Sequence, residues 1–254
     1  MVKLTWLGRL LGRRPPPAPS VTPAQWWLAE ARLPFLGRLS PADRERLRTL
    51  AVAFLRGKEF HGAQGFHLTD EVMLAIALQA CLPVLKLGLE AYRGWVGIVV
   101  YPGDFLIPRQ EMDEAGVVHE YDDPVLGEAW EGGPVLLSWF DDPAATPGVN
   151  VVIHEFVHKL DMTNGAVDGI PALPPEIRRE EWIRVLDGAY ADHCAAVDRG
   201  EDTLLDPYGS QDKGEFFAVA SEAFFLCPVE LREAMPALYG LLARYYRLDP
   251  AASP

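Results

Sequence analysis

Two histidines four residues apart, His154 and His158, bracket Glu155 in the segment VNVVIHEFVHKLDM, residues 149–162. On a helix, side chains at i and i+4 project side by side. Both imidazoles can therefore reach one divalent metal at about 2.0–2.1 Å. A carboxylate directly after the first histidine lies beside the water that such a metal activates, and can take its proton during attack on a carbonyl. The implied chemistry is metal-assisted hydrolysis, with Glu155 as general base.

The surroundings of the motif strengthen this reading. Val149, Val151, Val152, Ile153, Phe156, Val157 and Leu160 cover most of the helix surface, and a helix apolar nearly all round is buried. Asn150, His154, His158 and Asp161 interrupt that surface and fall within about 80° of one another at 100° per residue. Imidazoles and a carboxylate buried without partners would be costly, so something must satisfy the stripe.

A catalytic zinc site takes a third protein ligand and keeps an open position. The pattern with Gly three residues and His six residues after the second histidine fails, since Asp161 and Asn164 stand there. A glutamate from a later helix is the alternative. The segment GEFFAVASEAFFL, residues 214–226, is mostly apolar and carries Glu215 and Glu222, seven apart and on one face. Two carboxylates on a buried face demand a cation or donors. Glu215 as ligand with Glu222 accepting from a histidine N–H is one assignment, and spacing alone permits the reverse. Asp161 is expected to anchor the helix or support a ligand rather than bind metal. Tyr208, in LLDPYGS, lies seven residues before Glu215. Its phenol either donates to a developing oxyanion or merely packs in a turn.

The elements that must position these groups follow from periodicity and punctuation. Thr22–Pro23 and Ser40–Pro41 are helix starts, the second helix running to about Arg56. Lys58 to His61 reads as a short strand. Thr69, Asp70 and Glu71 open a helix through the apolar run to Leu82, which Pro83 ends or kinks. WVGIVVYP, GVVHEY and PVLLSWF, between 95 and 140, are β-branched and aromatic runs that predict a small, largely antiparallel sheet. PVLLSWF is a candidate strand for pairing with an extended peptide. Helices are expected over 149–162, 175–199, 214–226 and 228–246. The order of helices, sheet, then helices indicates an α+β fold. Residues 1–20 read as a tail and Pro-rich linker, and 21–254 as one catalytic domain with an N-terminal helical subregion to about 93.

Composition narrows the partners. The chain has 254 residues, 49% hydrophobic, and a formal net charge of −13, which disfavours direct nucleic-acid binding but leaves room for a basic protein partner. Cys81, Cys194 and Cys227 are odd in number and widely spaced, which argues against a disulfide framework or cysteine zinc site and for a reducing compartment. The opening MVKLTWLGRLLGRR is interrupted by Arg9 and too short to span a bilayer. Trp6, Leu7, Leu10 and Leu11 share one side of a short basic amphipathic helix, if that segment is helical.

NVVIHEFVHKLDMTNG, DPYGSQDKGEFFAVASEAFF and, before them, GPVLLSW resemble the Mlc titration factor A family of glucose-regulated bacterial zinc peptidases. The likeness is best over about residues 95–228. It implies a zincin-like core similar to the anthrax lethal factor protease domain, one Zn2+ held by His154, His158 and Glu215, Glu155 as base, and a catalytic Tyr208. It also implies a cytoplasmic, aminopeptidase-type enzyme acting on peptides, and an Mlc-type repressor as partner. One position departs from the common pattern of glutamate-liganded zinc peptidases: four residues after Glu215, where an acid often supports a histidine, stands Val219. Asp161 or Glu222 must then fill that place. The competing expectations are a repressor-binding protein with a structural or regulatory metal, and a metallohydrolase acting on something other than peptides.

Overall fold

The computed structural model describes residues 21–112, 118–139 and 149–252, with the backbone alone for 108–112 and 118–124. The N-terminal helices begin where the sequence places them. Thr22 and Gln25 form a reciprocal cap at the start of α1 (Pro23–Ala31). Ser40 caps α2 (Pro41–Gly57) and Thr69 caps α3 (Asp70–Cys81), each accepting from the backbone N–H three residues on. The expectations for residues 1–20 and for Phe140 lie outside the described residues.

The described residues include six strands: β1 (Glu59–Gly62), between α2 and α3, then β2 (Gly97–Tyr101), β3 (Phe105–Met112), β4 (Val118–Val125), β5 (Gly127–Ala129) and β6 (Val135–Ser138). The α+β class holds, but the largely antiparallel sheet does not. The main sheet has the order β1-β2-β6-β5, with β1, β2 and β6 parallel and only β5 antiparallel to its neighbour. β3 and β4 form a separate antiparallel pair. The cause is connectivity. Parallel neighbours need a long crossover, and α3 supplies one between β1 and β2, while the β3–β4 pair lies in the connection from β2 towards β6. A second correction concerns the strand of PVLLSWF. β6 is paired on both sides, its four residues are all buried, and Trp139 is core, so this strand cannot accept a peptide. Among the described residues, the open edge beside it belongs to β5.

The C-terminal half is helical: α4 (Val151–Asp161), α5 (Arg179–Asp198), α6 (Lys213–Leu226), α7 (Pro228–Ala234) and α8 (Pro236–Tyr246). The helix expected over 228–246 is two, because Met235 precedes Pro236 and is held out of the helical region at φ −133° and ψ 62°. α4 packs between α3, α6 and the sheet. Phe156 fixes it there: its fully buried ring meets Tyr92, Phe54 and Trp95 at centroid distances of 5.3, 5.5 and 5.7 Å. Burying a ring of that size stabilises the placement by roughly 1.5–3 kcal/mol.

Candidate metal centre

Helix α4 starts at Asn150, whose Oδ1 accepts from the Ile153 N–H at 2.9 Å. One turn in, His154 and His158 present their rings to α6 with centroids 4.7 Å apart. Helix α6 starts at Asp212, whose side chain accepts from the Glu215 N–H at 3.0 Å. That places Glu215 in the first turn, where the helix dipole favours a carboxylate. The α4–α6 packing brings the three side chains together. His154 Nε2 lies 3.0 Å from Glu215 Oε2 and 3.1 Å from His158 Nε2, and His158 Nε2 lies 3.4 Å from the same Glu215 oxygen.

Those separations test whether the residues fit a metal. Donors about 2.0–2.1 Å from a tetrahedral ion stand about 3.3–3.4 Å from one another, close to what is found. His154 Nδ1 lies 2.8 Å from Glu222 Oε1; with a metal in place, a proton kept at Nδ1 would leave the Nε2 lone pair to the ion. Acceptors converging on one point call for a cation between them. His154, His158 and Glu215 fit a divalent ion.

Glu222, not Asp161, supports the histidine. Its second oxygen accepts from the backbone N–H of Asn150. Asn150 Nδ2 in turn donates to Gln79 Oε1 at 2.7 Å, and Gln79 Nε2 donates to Ala75 O at 3.1 Å. A buried polar chain thus runs from α3 to the imidazole. The sequence signal for Gln79 was a lone amide inside the apolar run of α3. Asp161, fully buried, instead accepts from the Gly169 N–H at 2.8 Å.

Glu155 faces β5. It is 5% exposed, and its Oε2 has no protein partner among the described residues. Burial pushes its carboxyl up to about 7, against the opposing pull of His154 and His158. Glu215 goes the other way: burial raises it, but its hydrogen bonds to the two imidazoles win and hold it at about 2. The Glu155 carboxyl lies so close to the strand that a Cβ at Gly127 would stand 2.5 Å from its Oε1. Gly127 is a requirement the sequence did not signal, since nothing local marks it.

A cavity of about 420 Å³ opens beside these groups, with His154, Glu155, Leu126, Gly127, Asp206 and Tyr208 in its wall. Among the described residues no Lys or Arg lines it. The Tyr208 ring centroid is 6.1 Å from that of His154. Tyr208 sits on a 3-10 turn (Pro207–Ser210) opened by Asp206, whose Oδ1 accepts from the Tyr208 N–H at 2.9 Å. Helix α5 holds the far end of that turn: Tyr190 donates its hydroxyl to Ser210 O at 3.1 Å. The structure thus gathers all five residues singled out for catalysis or metal binding around one site.

Comparison with known proteins places the chain in a family. The chain is 37% identical over 240 residues to Mlc titration factor A of Pectobacterium atrosepticum, covering 92% of this chain and 90% of that protein. It is 38% identical over 237 residues to Mlc titration factor A of Serratia proteamaculans, covering 91% and 89%. An uncharacterized protein of Synechocystis is 36% identical over 253 residues, covering 97% and 90%. Residues 12–247, which include α4 and α6, match the family described as glucose-regulated metallo-peptidase M90. By that match and the extent of these identities, the chain belongs to the M90 family of glucose-regulated metallopeptidases.

Proposed function

We propose that this chain is a zinc-dependent peptidase of aminopeptidase type. The observation that carries the proposal is the meeting of three donor atoms, from His154 and His158 on α4 and Glu215 on α6, beside Glu155, which α4 aims into a cavity bounded by an edge strand. Bound zinc would act as a Lewis acid, lowering the pKa of water and polarising the scissile carbonyl. Glu155 takes a proton at its cavity-facing carboxylate and passes it to the departing amine. Tyr208 donates its hydroxyl to the carbonyl oxygen as negative charge develops there. Glu222 keeps the His154 ring oriented.

Strand β5 receives the substrate backbone. Ser138 N–H donates to Leu126 O and Trp130 N–H to Pro134 O. In antiparallel pairing these bonds alternate, so the N–H and C=O groups of Gly127 and Ala129 face away from β6, toward the open edge. A peptide extended there lies beside Glu155. The cavity supports an exopeptidase acting at the amino end. It offers the exposed carboxylate of Asp206 to an α-ammonium and, among the described residues, no cation to a terminal carboxylate.

The relatives named Mlc titration factor A support a second role, binding a repressor of the Mlc type. A net charge of −13 suits a protein partner better than DNA. Among the described residues no helix is long and apolar enough to cross a membrane, and a cytoplasmic setting fits three free cysteines. A chain that only bound a repressor would have no use for Glu155 beside an open ligand position. Glu155→Gln therefore separates the two roles. It is expected to retain one zinc by elemental analysis and to lose peptide hydrolysis by about 10³-fold or more. Undiminished hydrolysis by the variant would refute the catalytic reading.

A further inference from the structure

Lys159 follows the second metal-binding histidine and is only 4% exposed. An apolar side chain would serve a purely packing role there at lower cost. Its ammonium instead lies 4.8 Å from the centroid of the Trp95 ring and donates to two carbonyls, Trp130 O and Gly133 O, the latter at 2.9 Å. Both belong to the tight turn between β5 and β6, which Gly132 makes possible at φ +60°. Trp130 is the residue directly after β5. At the other end of the same strand, Gly127 lies against the carboxyl of Glu155. Glu155 and Lys159 are four residues apart on α4 and therefore share a face. The catalytic helix thus touches β5 at Gly127 through the general base and the turn that follows β5 through a buried ammonium.

We propose that Lys159 is a positioning residue, tying the β5–β6 turn to α4 so that the open edge of β5 is held in register with Glu155 for binding extended peptides. This rests on the peptidase reading, in which β5 receives the substrate backbone. A peptide pairing with Gly127 and Ala129 gains only if the strand is already fixed; a loose strand must be ordered at each binding event.

The molecule contains a matched control. Lys58 sits against the same Trp95 ring, 3.2 Å from its centroid, and also donates to two carbonyls, Tyr92 O at 2.9 Å and Trp95 O at 2.8 Å. Neither carbonyl is in the β5–β6 turn. If the lysines packed on Trp95 merely stabilise this region, Lys58→Met and Lys159→Met should behave alike. The test measures binding of a fluorescent hexapeptide and of a single-residue anilide to the zinc-loaded chain on a Glu155→Gln background, so that neither ligand is consumed. Lys159→Met is expected to raise the hexapeptide Kd by ~10-fold or more, the anilide Kd by less than ~3-fold, and to leave zinc content unchanged. Lys58→Met is expected to lower Tm and leave both Kd values in place. Lys159→Arg, which keeps a donor, should restore most of the hexapeptide affinity. Equal effects of the two methionine variants, or an unchanged hexapeptide Kd in Lys159→Met, would overturn the proposal. If Lys159→Met does not fold, Lys159→Gln is judged by the same criteria. Hydrolysis by the wild-type chain is assayed separately: its absence counts against the peptidase reading, whereas unaltered hexapeptide binding counts against Lys159.

Discussion

Glu222 accepts from His154 and Asp161 does not, and the helices explain why. Asp161 ends α4, where its carboxylate reaches the Gly169 N–H, whereas Glu222 lies two turns into α6, opposite the start of α4. Spacing put Glu215 and Glu222 on one face but could not order them; the cap at Asp212 does, by fixing where α6 begins. The motif residues were legible because the chemistry demands their types at fixed local spacing. Gly127, Lys159 and Asp206 were not, since each acts across a contact between elements distant in the chain. Asp206 also permits a clean test of substrate polarity. Asparagine at 206 can still accept from the Tyr208 N–H, as capping asparagines do, but carries no charge. Asp206→Asn is expected to raise KM about 10-fold for peptides with a free amino terminus and to leave kcat nearly unchanged. The same peptides acetylated at the amino terminus should show no difference between variant and wild type. Equal losses on both substrates would mean that the residue only shapes the Tyr208 turn.

Helix existence was readable from apolar periodicity and caps, and the observed ends fall close to those expected for α2, α3, α4 and α6. Strand direction was not, because parallel and antiparallel runs share the same residue types, and only the crossover through α3 decides. The split between α7 and α8 was available in Met235–Pro236 but is masked by apolar periodicity that continues across it. At this scale the relay Gln79–Asn150–Glu222–His154 joins α3, α4 and α6. Gln79→Leu removes the acceptor of the Asn150 amide and leaves a buried donor unpaired, at a cost of about 1–3 kcal/mol. Because Asn150 also orients Glu222, the variant should lose zinc more readily. A ~10–100-fold rise in zinc Kd, read by competition with a chelating dye, is the expected result. A lowered Tm with unchanged zinc affinity would confine Gln79 to a structural role.

Across the molecule, the stability of the chain should carry the signature of one buried acid. Asp161 ties α4 to the loop that reaches α5, for the same Gly169 whose N–H it accepts also receives the Trp182 indole N–H at its carbonyl, 2.8 Å away. That loop cannot shift easily: Gly169 has φ +75°, and a Cβ there would lie 2.6 Å from Lys213 O in α6. Burial raises the Asp161 carboxyl from 3.8 to about 7, outweighing the bond from Gly169. Between those values the folded chain keeps a proton that the unfolded chain has released. Stability from this group is therefore complete below about pH 4 and is lost as pH rises through 7, the reverse of a salt-bridged carboxylate. A shift of that size corresponds to ~4 kcal/mol as an upper bound. Asp161→Asn cannot ionise and removes the dependence. Urea unfolding of metal-stripped wild type and variant, from pH 4 to 7.5, isolates the effect, because other titrating groups cancel in the difference. The variant should gain on the wild type steadily across that interval. A flat difference would mean that Asp161 is already ionised in the folded chain, its charge met by donors other than Gly169.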